Sequence, residues 1–219
     1  MASELAKTVT EQATKEVTDM GATSKDVGRA WDGELPSKET IPNSWEGGLS
    51  GPENRQSDFD GIDYNQNPEQ LDGILDGFKE DNWENFDLDE KKELIKEFAD
   101  FLKDAFELKN PPNIEYFNAD VGYCGYFDPE NNIIGINENI LSDPYEVVDT
   151  VAHESYHAKQ HECAENPQCW KDFQYQHWFE NYIDGMYDFE VYESQFVEAE
   201  ARAIAERFKD ALAQSNERA

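Results

Sequence analysis

The sequence predicts an α+β fold, and three observations carry that prediction. Apolar residues recur at helical spacing in four long stretches beyond about residue 88. Three short β-like pieces, bounded by turn residues, fall between the first two of these stretches. A hydrophobic content of 38% with 13% aromatic residues supplies a core, which a fully disordered chain of this polarity would lack. The 219 residues have room for one ordinary domain with an arm, or for two small domains.

Composition divides the chain near residue 70. Residues 1–70 hold 7 of the 13 glycines and 4 of the 9 prolines and show no sustained apolar period beyond a short helix at 3–20. They read as a flexible or partly ordered acidic arm, with Trp31, Trp45 and Phe59 as isolated aromatics. An acidic stretch at Asp58, Asp60 and Asp63 lacks the glycine that a calcium loop needs at its sixth position, and no calcium is expected there. The folded domain is expected over 71–219. Asp87-Leu88-Asp89-Glu90 has the character of a helix start, and Leu94, Phe98, Phe101, Leu102, Ala105 and Phe106 continue the period, predicting a helix over 88–109 that Asn110-Pro111-Pro112 stops. Asn113–Phe117, Val121–Phe127 and Asn132–Asn137 predict a small antiparallel sheet. Pro144 suits a first helical turn, and Val147, Val148, Val151 and Ala152 form the stripe of a helix reaching about 162. Two further helices are expected over 168–186 and 189–214.

Charge narrows the function. Eighteen basic residues against 49 acidic ones leave a formal net charge of −31, which excludes nucleic-acid binding through a basic groove and disfavours anionic membranes. The first twenty residues hold no apolar core of a secretion signal, and no run of about 18 apolar residues could span a bilayer. A soluble chain is expected, either cytoplasmic or delivered by a non-classical route. Cys124, Cys163 and Cys169 are too few for a disulfide framework, although Cys163 and Cys169 are close enough in sequence for one local bridge outside the cytosol.

Residues 153–157 read His-Glu-Ser-Tyr-His, an HExxH on a predicted helix. Positions i and i+4 face one way, so His153 and His157 can present two imidazole nitrogens to one metal ion. Glu154 beside them can act as general base and then as acid. Zn²⁺ suits two imidazoles and a carboxylate, with a fourth position left for water. His161 continues the stripe but stands about 12 Å along the axis from His153, too far to share its metal, and is expected to be exposed.

On these residues the chain resembles the zincin metallopeptidases, over about 113–210. Thr150, Ser155, Tyr156 and Ala158 agree with their extended signature, whereas Lys159 departs from it at an apolar position. Gln160 occupies the place where a metzincin would turn on glycine. The resemblance is to the glutamate-zincin type, whose third ligand is a Glu on the next long helix followed by small residues. Glu198-x-x-Ala201 with Ala205 is similar to that pattern as found in short zincins of bacterial toxins and of repressor-cleaving proteins. Periodicity does not choose between Glu198 and Glu200, which flank the apolar stripe on opposite sides. The resemblance favours Glu198 and leaves Glu200, Glu193 and Asp188 as alternatives. It also implies a zincin-like fold with an edge strand before the active-site helix, for which Ile133–Asn137 stands in the right place to take a peptide as an added strand. An oxyanion donor near the metal is expected among Tyr156, His177, Tyr182, Tyr187 and Tyr192, with His177 favoured.

The expected activity is zinc-dependent hydrolysis of a peptide bond, with a peptide or protein substrate, which the acidic charge would favour if basic. A delivered toxin or effector fits the arrangement, and with it an inhibitor or immunity protein as partner. Two other readings differ in class: an inactive zincin-like metal-binding or interaction module, and an acidic nucleic-acid mimic that makes no use of the motif.

Overall fold

The computed structural model describes residues 67–119, 123–183 and 189–217. The expected arm up to residue 66, its helix at 3–20, Trp31, Trp45, Phe59 and the acidic stretch at 58–63 lie outside the described residues, as do Val121, Tyr187 and Asp188. The described segments form helices α1 (Pro68–Gly77), α2 (Glu80–Trp83) and α3 (Leu88–Ala105), strands β1 (Asn113–Phe117), β2 (Gly125–Asp128) and β3 (Ile133–Asn137), and a 3-10 turn at Glu138–Ser142. Helices α4 (Pro144–Glu165), α5 (Trp170–Glu180), α6 (Phe189–Ser194) and α7 (Phe196–Glu217) complete them. None of the described helices is long and apolar enough to cross a membrane.

Helix α3 begins where the sequence predicts. Asp87 accepts from the Asp89 and Glu90 amides while the Glu90 side chain accepts from the Asp87 amide, a capping box that satisfies orphan donors of the first turn. It ends earlier than predicted, before the prolines. The Leu108 amide donates to Lys103 O and the Glu107 amide to Asp104 O, closing a Schellman motif with Glu107 at φ 53° and Leu108 tucked into the core. A glutamate thus occupies a left-handed position that glycine adopts without steric cost. Helix α1 starts at Pro68, capped by Asn67, three residues before the expected domain boundary. Its two glycines obscure it in the sequence.

The three strands form one mixed sheet in the order β1-β3-β2, with β1 parallel and β2 antiparallel to β3. This corrects the expected all-antiparallel sheet. Strands β1 and β2 lie on opposite sides of β3 instead of pairing as a hairpin, so Ile133–Asn137 is the central strand and both its edges are paired. Ile134 and Ile136 are buried, as a central strand requires. The edge strand next to α4 is β2. A Cβ on Gly125 would stand 2.5 Å from Thr150 Cγ2 and 2.8 Å from Gly135 O, so only glycine lets β2 lie this close to α4.

Helix α4 is the hub of the core. It packs on α7, α5, α3, β2 and β3, which accounts for burial on most of its circumference. The rings of Phe98, Phe101 and Phe106 each meet Phe208 of α7 edge-on, and Phe106 meets Tyr156 of α4 likewise. Trp83 stacks on Phe78 and donates Nε1–H to Leu141 O at 3.0 Å. The helix predicted over 189–214 is divided at Gln195 into α6 and α7. Buried Gln195 exchanges two hydrogen bonds with the backbone of Ile183, which ties the end of the α5 segment to the start of α7.

Replacing Glu107 with glycine relieves the left-handed strain, and urea unfolding should show a gain of roughly 0.5–1 kcal/mol after the entropic cost of glycine in the unfolded chain. An unchanged or lower midpoint would mean that the Glu107 side chain makes a compensating interaction.

Candidate metal centre

Helix α4 is fixed at its start by Pro144 in the first turn and by Asp143, whose carboxylate accepts from the Tyr145 and Glu146 amides. Two and three turns further on it presents His153 and His157 side by side, with their Nε2 atoms 3.0 Å apart. Helix α7 lies across this face. Its alanines Ala201 and Ala205 are fully buried, as is Ala152 on α4, and such small side chains allow close approach. Glu198 is thereby brought in with Oε1 3.3 Å from His157 Nε2 and Oε2 3.3 Å from His153 Nε2.

These three residues could hold a metal ion: one donor atom from each lies within 4.8 Å of the others. Two ligands about 2.0–2.1 Å from a tetrahedral ion stand about 3.3 Å apart, close to the separations found here. A second observation supports the fit. Glu198 is fully buried, yet its Oε2 has no hydrogen-bond partner, its contact with His153 falling outside hydrogen-bonding geometry. An orphaned buried carboxylate oxygen is costly, and a cation between it and the imidazoles removes that cost. Burial opposes the charge on Glu198, but the two histidines and Tyr182 outweigh it and hold the carboxyl far below its usual range. The His157 pKa, depressed by burial, is raised on balance by Glu198 and Glu154.

Glu200 takes a different place from Glu198, two residues away on the same helix. It is 3% exposed, accepts from Tyr175 Oη at 2.6 Å and pairs with Lys171 Nζ at 2.8 Å. Of the other third-ligand alternatives, Asp188 and the Glu193 side chain are outside what is described. Glu154 is half-buried and lines a cleft of about 270 Å³ with His153, Tyr192, Arg202, Glu146, Asp149, Thr150 and, from the β2 side, Tyr123, Cys124 and Gly125. The tyrosines divide accordingly. Tyr182 donates to Glu198 Oε1 at 2.6 Å, while Tyr192 shares the cleft with Glu154 and lies within electrostatic reach of Glu198. Burial and the neighbouring carboxylate raise both phenol pKa values, so both stay protonated at neutral pH. Tyr156 is buried against Tyr175.

His177 does not line this cleft. It sits about 200° around α5 from buried Tyr175, on the exposed side, where Asn181 is its hydrogen-bonding neighbour. His161 is not exposed, as the sequence suggested, but half-buried: it stacks on Phe179 with centroids 3.7 Å apart and leans on Phe127. The three cysteines are free. Sequence reasoning missed Gln160, Lys171 and Tyr175, which form a polar cluster behind the histidines. The one available signal was Gln160 standing a turn beyond His157 on the same face of α4.

No family model, curated protein or solved structure matches this chain.

Burial lowers the His161 pKa to about 4. Between pH about 6.5 and about 4 the unfolded chain therefore binds this proton while the folded chain does not, and stability falls as pH drops through that window. His161→Phe keeps the stack and removes the ionisation. Urea unfolding across pH 4–7 should show a shallower acid-side loss in the variant than in the wild type, and parallel profiles would contradict the burial of His161.

Proposed function

We propose that the protein is a zinc-dependent metallopeptidase, with His153, His157 and Glu198 as the metal ligands and Glu154 as the general base and acid. The observation that carries this reading is the buried Glu198 carboxylate, whose orphaned Oε2 faces His153 and whose Oε1 faces His157 on an HExxH helix. A set of two nitrogens and one carboxylate oxygen matches the preference of Zn²⁺ and leaves a coordination position open, the mark of a catalytic rather than a structural site. Bound zinc supplies Lewis acidity, which acidifies water and polarises a carbonyl.

The chain's own residues do the rest. The Glu154 carboxylate, at the edge of the cleft, takes the proton of the attacking water and passes it to the departing amine. Tyr192, in the same cleft and protonated at neutral pH, donates a hydrogen bond to the carbonyl oxygen as charge grows on it, the role the sequence suggested for His177. Tyr182 steadies Glu198 from its other side. Among the described residues β2 pairs only with β3, so its outer edge beside the cleft is the place for an extended peptide to add as a strand. Glu146 and Asp149 line the cleft with Glu154, offset in part by Arg202 and Lys209, and their remaining charge suits a substrate segment bearing Lys or Arg.

Elemental analysis of the purified protein should find one zinc per chain, lost in His153→Ala and in Glu198→Ala and kept in Glu154→Gln. Turnover of a mixed peptide library should fall about 10²–10⁴-fold in Glu154→Gln. Absence of zinc from the wild type even after reconstitution would sink the metal reading, whereas bound zinc without any peptide cleavage would leave a metal-binding module. With zinc content unchanged, Tyr192→Phe should lower kcat by about 10²-fold and leave KM near its wild-type value. Equal loss in His177→Phe and none in Tyr192→Phe would return the oxyanion role to His177.

A further inference from the structure

Behind the candidate ligands lies a polar cluster that the catalytic reading does not use. His157 Nδ1, on the side of the ring away from Glu198, is 2.8 Å from Gln160 Oε1. Gln160 is fully buried, and the orientation of its amide follows from what surrounds it. On one side are Val197 O at 3.0 Å and Glu200 Oε2 at 3.3 Å. A backbone carbonyl can only accept, so the amide nitrogen must face it and the amide oxygen must face His157. The Glu200 carboxylate is itself fixed by Lys171 and Tyr175 of α5, so the acceptor that faces the Gln160 nitrogen does not turn away.

We propose that Gln160 is a positioning residue that sets the tautomer of His157. Its oxygen accepts a hydrogen bond from Nδ1–H and so keeps the proton on Nδ1, which leaves the Nε2 lone pair for a metal ion and locks the ring plane toward His153 and Glu198. A histidine ligand needs such a partner for its second nitrogen, and losing one typically weakens metal affinity about 10–100-fold. Here the partner comes from the ligand helix itself, one turn beyond His157, and is held by α5 and α7 through Glu200 and Val197 O. The inference rests on the metal site proposed above and is independent of peptide cleavage.

Two measurements test it. Long-range proton–nitrogen NMR of imidazole-labelled wild-type protein should show His157 protonated at Nδ1 both without metal and with one equivalent of zinc. A His157 that lacks the Nδ1 proton in either state overturns the proposal. Competition against a chromophoric chelator should then give Gln160→Met, which keeps the side-chain length and removes the acceptor, a zinc affinity about 10–100-fold below wild type. An affinity within about threefold of wild type overturns the proposal while leaving the metal site intact. Failure of wild type to bind zinc in the same assay overturns the metal site itself. If Gln160→Met does not fold, the wild-type NMR result decides.

Discussion

The arrangement depends on one constraint: a carboxylate with no exposed surface must sit between two imidazoles carried by a different helix. That places Glu198 within 3.3 Å of both rings only if α7 keeps its axial register and rotation against α4. A slip of one residue moves a side chain about 1.5 Å along the axis and 100° around it, which would bring Val197 or Ala199 to the histidines instead. The register is set away from the site. Phe208 of α7 is held edge-on by Phe98, Phe101 and Phe106, and Phe106 in turn holds Tyr156, which lies between the two histidines on α4. The aromatic core therefore fixes the site geometry as well as the stability.

The same crossing explains why two buried glutamates two residues apart take different roles. Glu198 faces α4 on the side of the histidines, and among the described residues its nearest Lys or Arg is Arg202 at 4.0 Å, so its charge rests on the imidazoles and Tyr182. Glu200 meets Lys171, Tyr175 and Gln160, and its carboxylate is satisfied within the protein. A buried ion pair with its remaining lone pairs occupied is a means of orienting neighbours more than a source of stability. Helix α5 supplies both Lys171 and Tyr175, and the segment after it supplies Tyr182. This stretch thus backs the candidate centre, and its ties to α7 run through Gln195 and Glu200.

Strand order controls the open side. With β3 in the middle, the pleated edge nearest Glu154 belongs to β2, and Gly125 lets that edge approach α4 closely enough to form one wall of the cleft. A hairpin-connected antiparallel sheet would have put a different strand at this wall. The sequence pieces that read as strands are the same in both cases, because period-2 patterning marks which residues pair but not with which neighbour or in which direction.

Much of the local structure is legible in the chain. The Asp87 capping box, Pro144 after Asp143, the turn residues around the strands and the HExxH spacing each act over a few residues, and each appears where the sequence puts it. The features that differ from the sequence expectation depend on surroundings: α1 forms despite its glycines because Ile74 and Leu75 reach the core, α3 ends at Ala105 because Glu107 turns the chain and Leu108 finds a buried place, and His161 is covered by Phe179 from a separate helix. The sequence alone determined the candidate histidines, the glutamate beside them and the short run of acidic candidates that includes Glu198 and Glu200, since helical periodicity is a short-range property. Only the tertiary structure set Glu198 rather than Glu200 beside the two histidines, withdrew His177 from the cleft and brought Gln160 against His157. Those outcomes depend on how α4, α5 and α7 cross, and the crossing is set by packing of side chains that lie far apart along the chain.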